Sequence, residues 1–345
     1  MILLQGKTVL LSKINQIGDV IMTLPAATEI KKHYPDARVL FLASASKTND
    51  IISRYQDVDQ LINWDELQQM PEEKAVAYLH SLKIDVVIHF HPNKAIARLM
   101  KKAKIPIRVG TSRRLYHFLY CNRWRNVSRS QSNLHETELD MLLLKPFTGK
   151  SFYTKDEIIA LRKFKMVNAS EVVSSLVDKE KFNLIIHPKT RGEHIEWSPS
   201  FYAELIRQLP QDQFKIFITG SQKEGEKVYQ SLIQPVGDKV TDLTGKTSLG
   251  ELIDLIALSD GLIAGSTGPV HIAAAYGIHT LGMYAPIKPF HAGRWGPVGK
   301  QAESLSIDKD CNDCRINMRC HCVNEIPVDQ VKTIVLDWQK NKENS

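Results

Sequence analysis

Short apolar runs of strand length alternate with helical stretches along this chain, and the alternation occurs twice. The first half carries "TVLLSKI", "RVLFLAS", "DVVIHFH" and "IRVGT"; the second carries "FNLIIHP", "FKIFITG", "VTDLTG", "GLIAGS" and "HTLGMYA". Helical segments between such runs predict parallel strands joined by crossover helices, so the fold class is α/β. A helix over "HETELDMLLLKPF" closes the first half. A polar connection follows from about 150 to 180, with one amphipathic segment, "ASEVVSSLVDKEK". The expected division is 1–165, 180–325 and a terminal helix over 326–345. Two similar α/β halves imply a cleft between them, with ligands beyond the carboxyl ends of the strands.

With 345 residues, 43% hydrophobic and 24% charged, the chain suits two globular domains. No run of about 18 apolar residues appears, so no transmembrane helix is expected. The opening "MILLQGKTVLLSKINQ" has neither a basic leader nor a small-residue cleavage site, and reads as a first strand; the cytoplasm is the expected location. The net charge of +7 is uneven: from Val86 to His135 there are eleven Lys or Arg and no Asp or Glu. Such a stretch wants an anionic partner. Its aromatic residues, Tyr116, Phe118, Tyr120 and Trp124, are too few for the interleaving of a nucleic-acid binder, and no nucleic acid is expected.

Five cysteines are present, and Cys311, Cys314, Cys320 and Cys322 form a C-x2-C-x5-C-x-C cluster. In a reducing compartment that pattern points to a structural zinc, or else to four thiols packing a loop.

Three loops carry the chemistry of the second half. In "GLIAGSTGPVHIAAAYG" a strand ends near Ala264, and small residues lead to a helix starting near Pro269. Small residues admit a ligand to the backbone, and free N–H groups with the helix dipole attract anions. Ser266 or Thr267 is placed to cap that helix. In "IIHPKTRGEHIEWSP", Lys189, Thr190, Arg191 and His194 follow a strand end, where cations suit phosphate. In "ITGSQKEGEKV", Glu224 lies four residues past Gly220, placed to bond ribose hydroxyls or to favour a helix dipole. The first half offers a different turn. "SKINQIGDVIMTLPA" puts Asp19 at the mouth of a helix, with Gly18 before it, where a dinucleotide fold would have its glycine fingerprint. Asp19 is either a helix cap or a functional acid. His89 and His91 come off another strand end and either line a site or pack beneath it.

Taken together, "IGDVIMTLPA", H-P-x-x-R-G-E, G-S-x-x-E, "LTGKTSLGELIDLIALSD" and "STGPVHIAAAYG" resemble, in order and spacing over nearly the whole chain, glycosyltransferase family 9, the ADP-heptose:lipopolysaccharide heptosyltransferases. The resemblance implies a GT-B arrangement of two Rossmann-like domains and a metal-independent, inverting transfer. The acceptor would sit on the N-terminal half and an ADP-sugar on the C-terminal half. It makes Asp19 the catalytic acid–base residue, Glu224 the ribose acid and Thr247 a neighbour of the adenine. The donor loop runs through Ser266, Thr267, Gly268 and His271. This chain departs from the family at Ser266, where Asp is usual, and before Trp197, where Lys is usual; Lys189, Arg191 or His194 would supply the missing charge.

A carboxylate at residue 19 would take the proton of the acceptor hydroxyl as the glycosidic bond forms. Gly18, His89, His91, Arg113, Arg114, Arg123 and Arg125 are the expected acceptor contacts, since the inner core of lipopolysaccharide is an anionic glycolipid. A basic face would hold the chain, expected to be a monomer, as a peripheral protein at the cytoplasmic side of the inner membrane. Apart from the ADP-sugar substrate, no cofactor is expected. The alternatives are a GT-B nucleotide-sugar epimerase and a non-enzymatic anion-binding protein. A nicotinamide-dependent oxidoreductase lacks support because no G-x-G-x-x-G follows the first strand.

Overall fold

A computed structural model of the chain describes residues 1–190, 196–288, 290–309 and 321–343. The chain divides into two compact units, Met1–Lys165 and Met166–Ser345. Each holds a six-stranded sheet in which every pairing is parallel.

The first sheet has the order β3-β2-β1-β4-β5-β6. Its strands are β1 Thr8–Ser12, β2 Arg38–Ala43, β3 Gln60–Asn63, β4 Val86–His89, β5 Ile107–Thr111 and β6 Arg123–Arg125. The second has the order β12-β11-β10-β7-β8-β9. It is built from β7 Phe182–His187, β8 Phe214–Ile218, β9 Thr241–Asp242, β10 Gly261–Gly265, β11 His279–Met283 and β12 Ala302–Leu305. The central strands are apolar along their length because both faces are covered. Leu10 stands level with Leu40 and Val87, and Ile186 with Ile263 and Ile218; all six are fully buried. Each such side chain contributes about 1.5–3 kcal/mol by leaving water.

All nine expected strands are present. The three that sequence reading misses, β3, β6 and β12, are "QLIN", "RWR" and "AESL", short, largely polar strands at sheet edges. The helix expected over "HETELDMLLLKPF" is broken into Glu136–Met141, a tighter turn Leu142–Leu144 and Lys145–Thr148. Pro146 lacks the N–H that would continue the ladder. The connection holds two short helices, Lys155–Ala160 and, within the expected amphipathic segment, Glu171–Ser174. The terminal helix, Val328–Glu343, buries Val331, Val335 and Trp338 along one stripe, with Trp338 stacked on His279 at 5.2 Å.

In each sheet the chain order reverses beside the first strand of its unit. The crevices this opens lie past the carboxyl ends of β1 and β4 in one unit and of β7 and β10 in the other. Parallel sheets bind ligands at such points.

Candidate functional site

Beyond β1 the chain turns through Lys13–Gln16 into the helix Ile17–Thr23. Gln16 is the N-cap and makes no side-chain cap; Asp19 occupies the first turn, after a buried Gly18. Asp19 is thus not the N-cap, although its carboxylate does take a backbone hydrogen bond from Gln16. Its side chain keeps 16% of its surface exposed. Burial raises its pKa above the usual carboxylate value, against the opposing pull of Lys13.

Lys13 is the feature that sequence reading misses. Its ammonium is buried, 3.0 Å from Glu136 Oε1, 3.1 Å from Asp140 Oδ2 and 3.7 Å from Asp19 Oδ1. Arg129 closes the cluster from the other side, donating from Nε to Glu136 at 2.8 Å and from Nη2 to Asp140 at 2.8 Å and to the Phe90 carbonyl at 2.7 Å. Thr23 Oγ1 lies 2.6 Å from Asp140 Oδ2. Burial works to lower the Lys13 pKa, but the surrounding carboxylates outweigh it and the net shift is upward, so Lys13 stays charged. Two cations therefore face three carboxylates, of which only Asp19 reaches the surface appreciably. The signal was present in "LLSKINQ", a lysine closing a buried run, and in the i, i+4 acids of "HETELD".

His91, on the turn two residues past β4, stands beside this cluster and is half-buried. Burial, then Lys13 and Arg129, hold its pKa at about 4, so it is neutral near pH 7. His89 is elsewhere: it is 1% exposed, its ring 5.8 Å from that of His117, with its pKa pushed to about 3 by burial. So enclosed, it presents nothing to a ligand and packs beneath the site.

The basic stretch is less uniform than its sequence implies, because acids from elsewhere reach it. Glu72 pairs with Arg98 and Lys102, and Arg129 belongs to the Glu136–Asp140 cluster. Arg113, Arg114 and Arg123 are exposed and have no carboxylate partner among the described residues. Arg113 donates to Asn126 Oδ1 and Arg123 to the Asn122 carbonyl, each at 2.8 Å. Arg125 is half-buried, and its Nε has no partner among the described residues.

In the second unit the predicted loops leave the carboxyl ends of β7, β8, β9 and β10. Gly265 ends β10; Ser266 follows; Thr267 is the N-cap of the helix Gly268–Tyr276, with Pro269 in its first turn. Thr267 makes no side-chain cap, so the first-turn amides are left without that partner. His271 is buried on the same helix. A Cβ on Gly265 would stand 3.4 Å from the Thr190 methyl, so the β10 and β7 loops touch at the crevice. Lys189 is not a free cation: it pairs with Glu196, which also accepts from Thr190 N at 2.7 Å and Oγ1 at 3.0 Å. Arg191 and His194 lie outside the described residues, as do Cys311, Cys314 and Cys320 of the cysteine cluster. Cys322 is buried in the second core. Among the described residues no group of three or more His, Cys, Asp or Glu is placed to hold a metal.

Glu224 caps its own helix. Its Oε2 accepts from Ser221 N at 2.7 Å and Oγ at 2.8 Å. A Cβ on Gly225 would meet Thr244 Oγ1 at 2.2 Å, so only glycine lets the Glu224 helix lie against the β9 loop. Thr247 is half-buried on that loop, just before Ser248 caps the helix Leu249–Leu258.

Two parallel α/β sheets, with small-residue loops at the strand ends of one and an acid-bearing helix mouth on the other, form a GT-B architecture. It is shared at nearly full length with solved structures. A glycosyltransferase family 9 structure from Veillonella parvula superposes with a TM-score of 0.78 at 18% identity, covering 99% of both chains. An E. coli ADP-heptose lipopolysaccharide heptosyltransferase II does so with a TM-score of 0.75 at 20% identity, over 98% and 99%. Lipooligosaccharide heptosyltransferase 2 of Campylobacter jejuni is 23% identical over 303 residues, 86% of this chain and 87% of that protein. The model of glycosyltransferase family 9 (heptosyltransferase) matches residues 76–322, and the chain belongs to that family.

Proposed function

We propose that this glycosyltransferase moves a heptose, or a closely related sugar, from an ADP-sugar to an anionic inner-core glycolipid at the cytoplasmic face of the inner membrane, with inversion at the anomeric carbon. One observation carries the reading: a partly exposed carboxylate, Asp19, at the crevice beyond β1, backed by a buried ammonium 3.7 Å away. Asp19 takes the acceptor hydroxyl proton; the acceptor oxygen bonds to the anomeric carbon; the bond from that carbon to the β-phosphate oxygen breaks, and ADP leaves with the electron pair. In the second unit the uncapped amides at Thr267 and Gly268 receive the pyrophosphate. Glu224, with Oε2 engaged in its cap, offers Oε1 to the ribose, and Thr247 lies toward the adenine. Gly18, His91 and the arginines 113, 114, 123 and 125 serve the acceptor. The ADP-heptose relatives support the donor class, and the basic surface supports an anionic acceptor.

The test is a thermal-shift panel of nucleotide diphosphates, followed by product analysis with and without acceptor. ADP at about 100 times its Kd stabilises a protein by about 2.7 kcal/mol, several degrees for units of this size. A preference for uridine or guanosine nucleotides overturns the donor assignment; sugar conversion without any acceptor identifies an epimerase.

Transfer is also expected to survive EDTA. Of the two Asp-x-Asp pairs in the sequence, Asp57–Val58–Asp59 lies in the first unit, where Asp57 pairs with Lys163 and Asp59 with Lys31 and the Val39 amide, and Asp308–Lys309–Asp310 in the second runs beyond the described residues. Helix amides can neutralise the leaving pyrophosphate instead. Rates in EDTA below a tenth of those in added Mg²⁺ contradict this. If the cysteines hold a structural zinc, prolonged chelation lowers the melting temperature without changing the initial rate.

A further inference from the structure

The helix Leu115–Tyr120 is turned inside out. Leu115, Phe118 and Leu119, spaced i, i+3 and i+4 along one face, are 86%, 51% and 64% exposed. Its polar member, His117, is fully buried and bonded through Nδ1 to the Thr111 carbonyl at 2.9 Å. Beside it on β6, Trp124 is 45% exposed, its ring 5.6 Å from that of Phe118 and its indole N–H held by the His117 carbonyl at 3.0 Å. The apolar side chains are fixed outward, since the helix is pinned from beneath and Lys101 donates to the Leu119 carbonyl at 2.8 Å. Around them stand Arg113, Arg114, Arg123 and Lys101, all exposed and without a carboxylate partner among the described residues.

We infer that this patch is a lipid-docking surface, with Leu115, Phe118, Leu119 and Trp124 entering the headgroup–acyl boundary of an anionic bilayer and the four cations meeting its headgroups. Clustered exposed apolar side chains mark an interaction site. The mixture of aliphatic, aromatic and basic groups is what an interface between water and anionic lipid selects. A second copy of the chain fits less well. A twofold contact would set the unpaired arginines of both copies around one another, whereas anionic headgroups neutralise them. The inference deepens the acceptor assignment and rests on it only for the choice of an anionic lipid.

The experiment is cosedimentation of the full chain with vesicles of phosphatidylglycerol and phosphatidylethanolamine, set against pure phosphatidylcholine. Binding is expected only to the anionic vesicles and to fall as salt rises. A Phe118→Ser/Leu119→Ser double variant should bind at least about tenfold more weakly, the loss expected when two large apolar side chains no longer leave water. Lipid should shift the tryptophan emission to the blue in the parent but not in Trp124→Phe. Because Phe118 and Leu119 are exposed, the double variant should keep the parent's melting temperature and its thermal response to ADP. If it does not fold, Leu115→Ser carries the same test. Absence of binding to anionic vesicles, or equal binding by parent and variants, overturns the inference. So does a concentration-dependent dimer that the double variant abolishes. Failure of the donor assignment would show instead as a missing ADP response in parent and variant alike.

Discussion

Asp19→Asn is expected to lower kcat by about 10²–10⁴, the contribution of a positioned general base, while leaving ADP binding and the melting temperature near those of the parent. The amide is isosteric and still accepts the Gln16 backbone hydrogen bond, so the helix start is retained, but it cannot take a proton. The pH profile adds a second signature. Burial raises the Asp19 pKa above its ordinary 3.8, so the acid limb of kcat/KM should fall above the range of a solvated carboxylate. Activity rises with pH through that limb because the base works in its ionised form. Transfer by Asp19→Asn within a few-fold of the parent would remove Asp19 from the chemical step and leave it a helix-start acid.

How far the sequence announces this site depends on whether partners are close along the chain. Apolar runs such as "VLL" in β1 and "LII" in β7 are legible because a parallel strand covered on both faces has no polar side to disguise it. β6 is not, because the edge strand "RWR" has no apolar run and its pairing comes from β5. The small-residue loop after β10 is a local feature: Gly268 and Pro269 start a helix where small residues and proline predict one. The charges behave otherwise. Arg129 looks like one member of an acid-free basic run, yet it is committed to Glu136 and Asp140. Lys189 looks like a phosphate ligand, yet Glu196 holds it. Counting charge along a sequence cannot tell a free cation from a paired one, because pairing is set by which elements stack. Lys13 is the extreme case, with its two closest partners more than 120 residues away. His89 illustrates the converse: a strand-end histidine can lie below a site, and only the turn that follows, which brings His91 level with the Ser12 carbonyl, separates the two.

Lys13→Met should be the most destabilising single change in the first unit, by about 3–5 kcal/mol near neutral pH. Removing one partner of a buried ion pair leaves the others uncompensated. Without the ammonium, the carboxylates of Asp19, Glu136 and Asp140 lose their buried counter-charge, and the pKa values of Asp19 and Asp140, already raised by burial, rise further. The sign follows. A group whose folded pKa is raised contributes stability that is fully present below its unfolded pKa and is lost as pH rises through the folded value. The variant should therefore lose most, relative to the parent, at pH 7–8, and recover part of the difference toward pH 5 as carboxylates take up protons. Asp140→Asn in the same chain removes one of the crowded charges and should restore about 0.5–3 kcal/mol, the coupling expected of neighbours in one network. Urea melts of the parent, both single variants and the double variant at pH 5 and 8 read both effects. The same ammonium is what opposes the rise in the Asp19 pKa. In variants stable enough to assay, the acid limb of kcat/KM should move to higher pH than in the parent. A role confined to packing would lower the melting midpoint equally at both pH values and leave the limb in place, and that result would separate Lys13 from the electrostatics of Asp19.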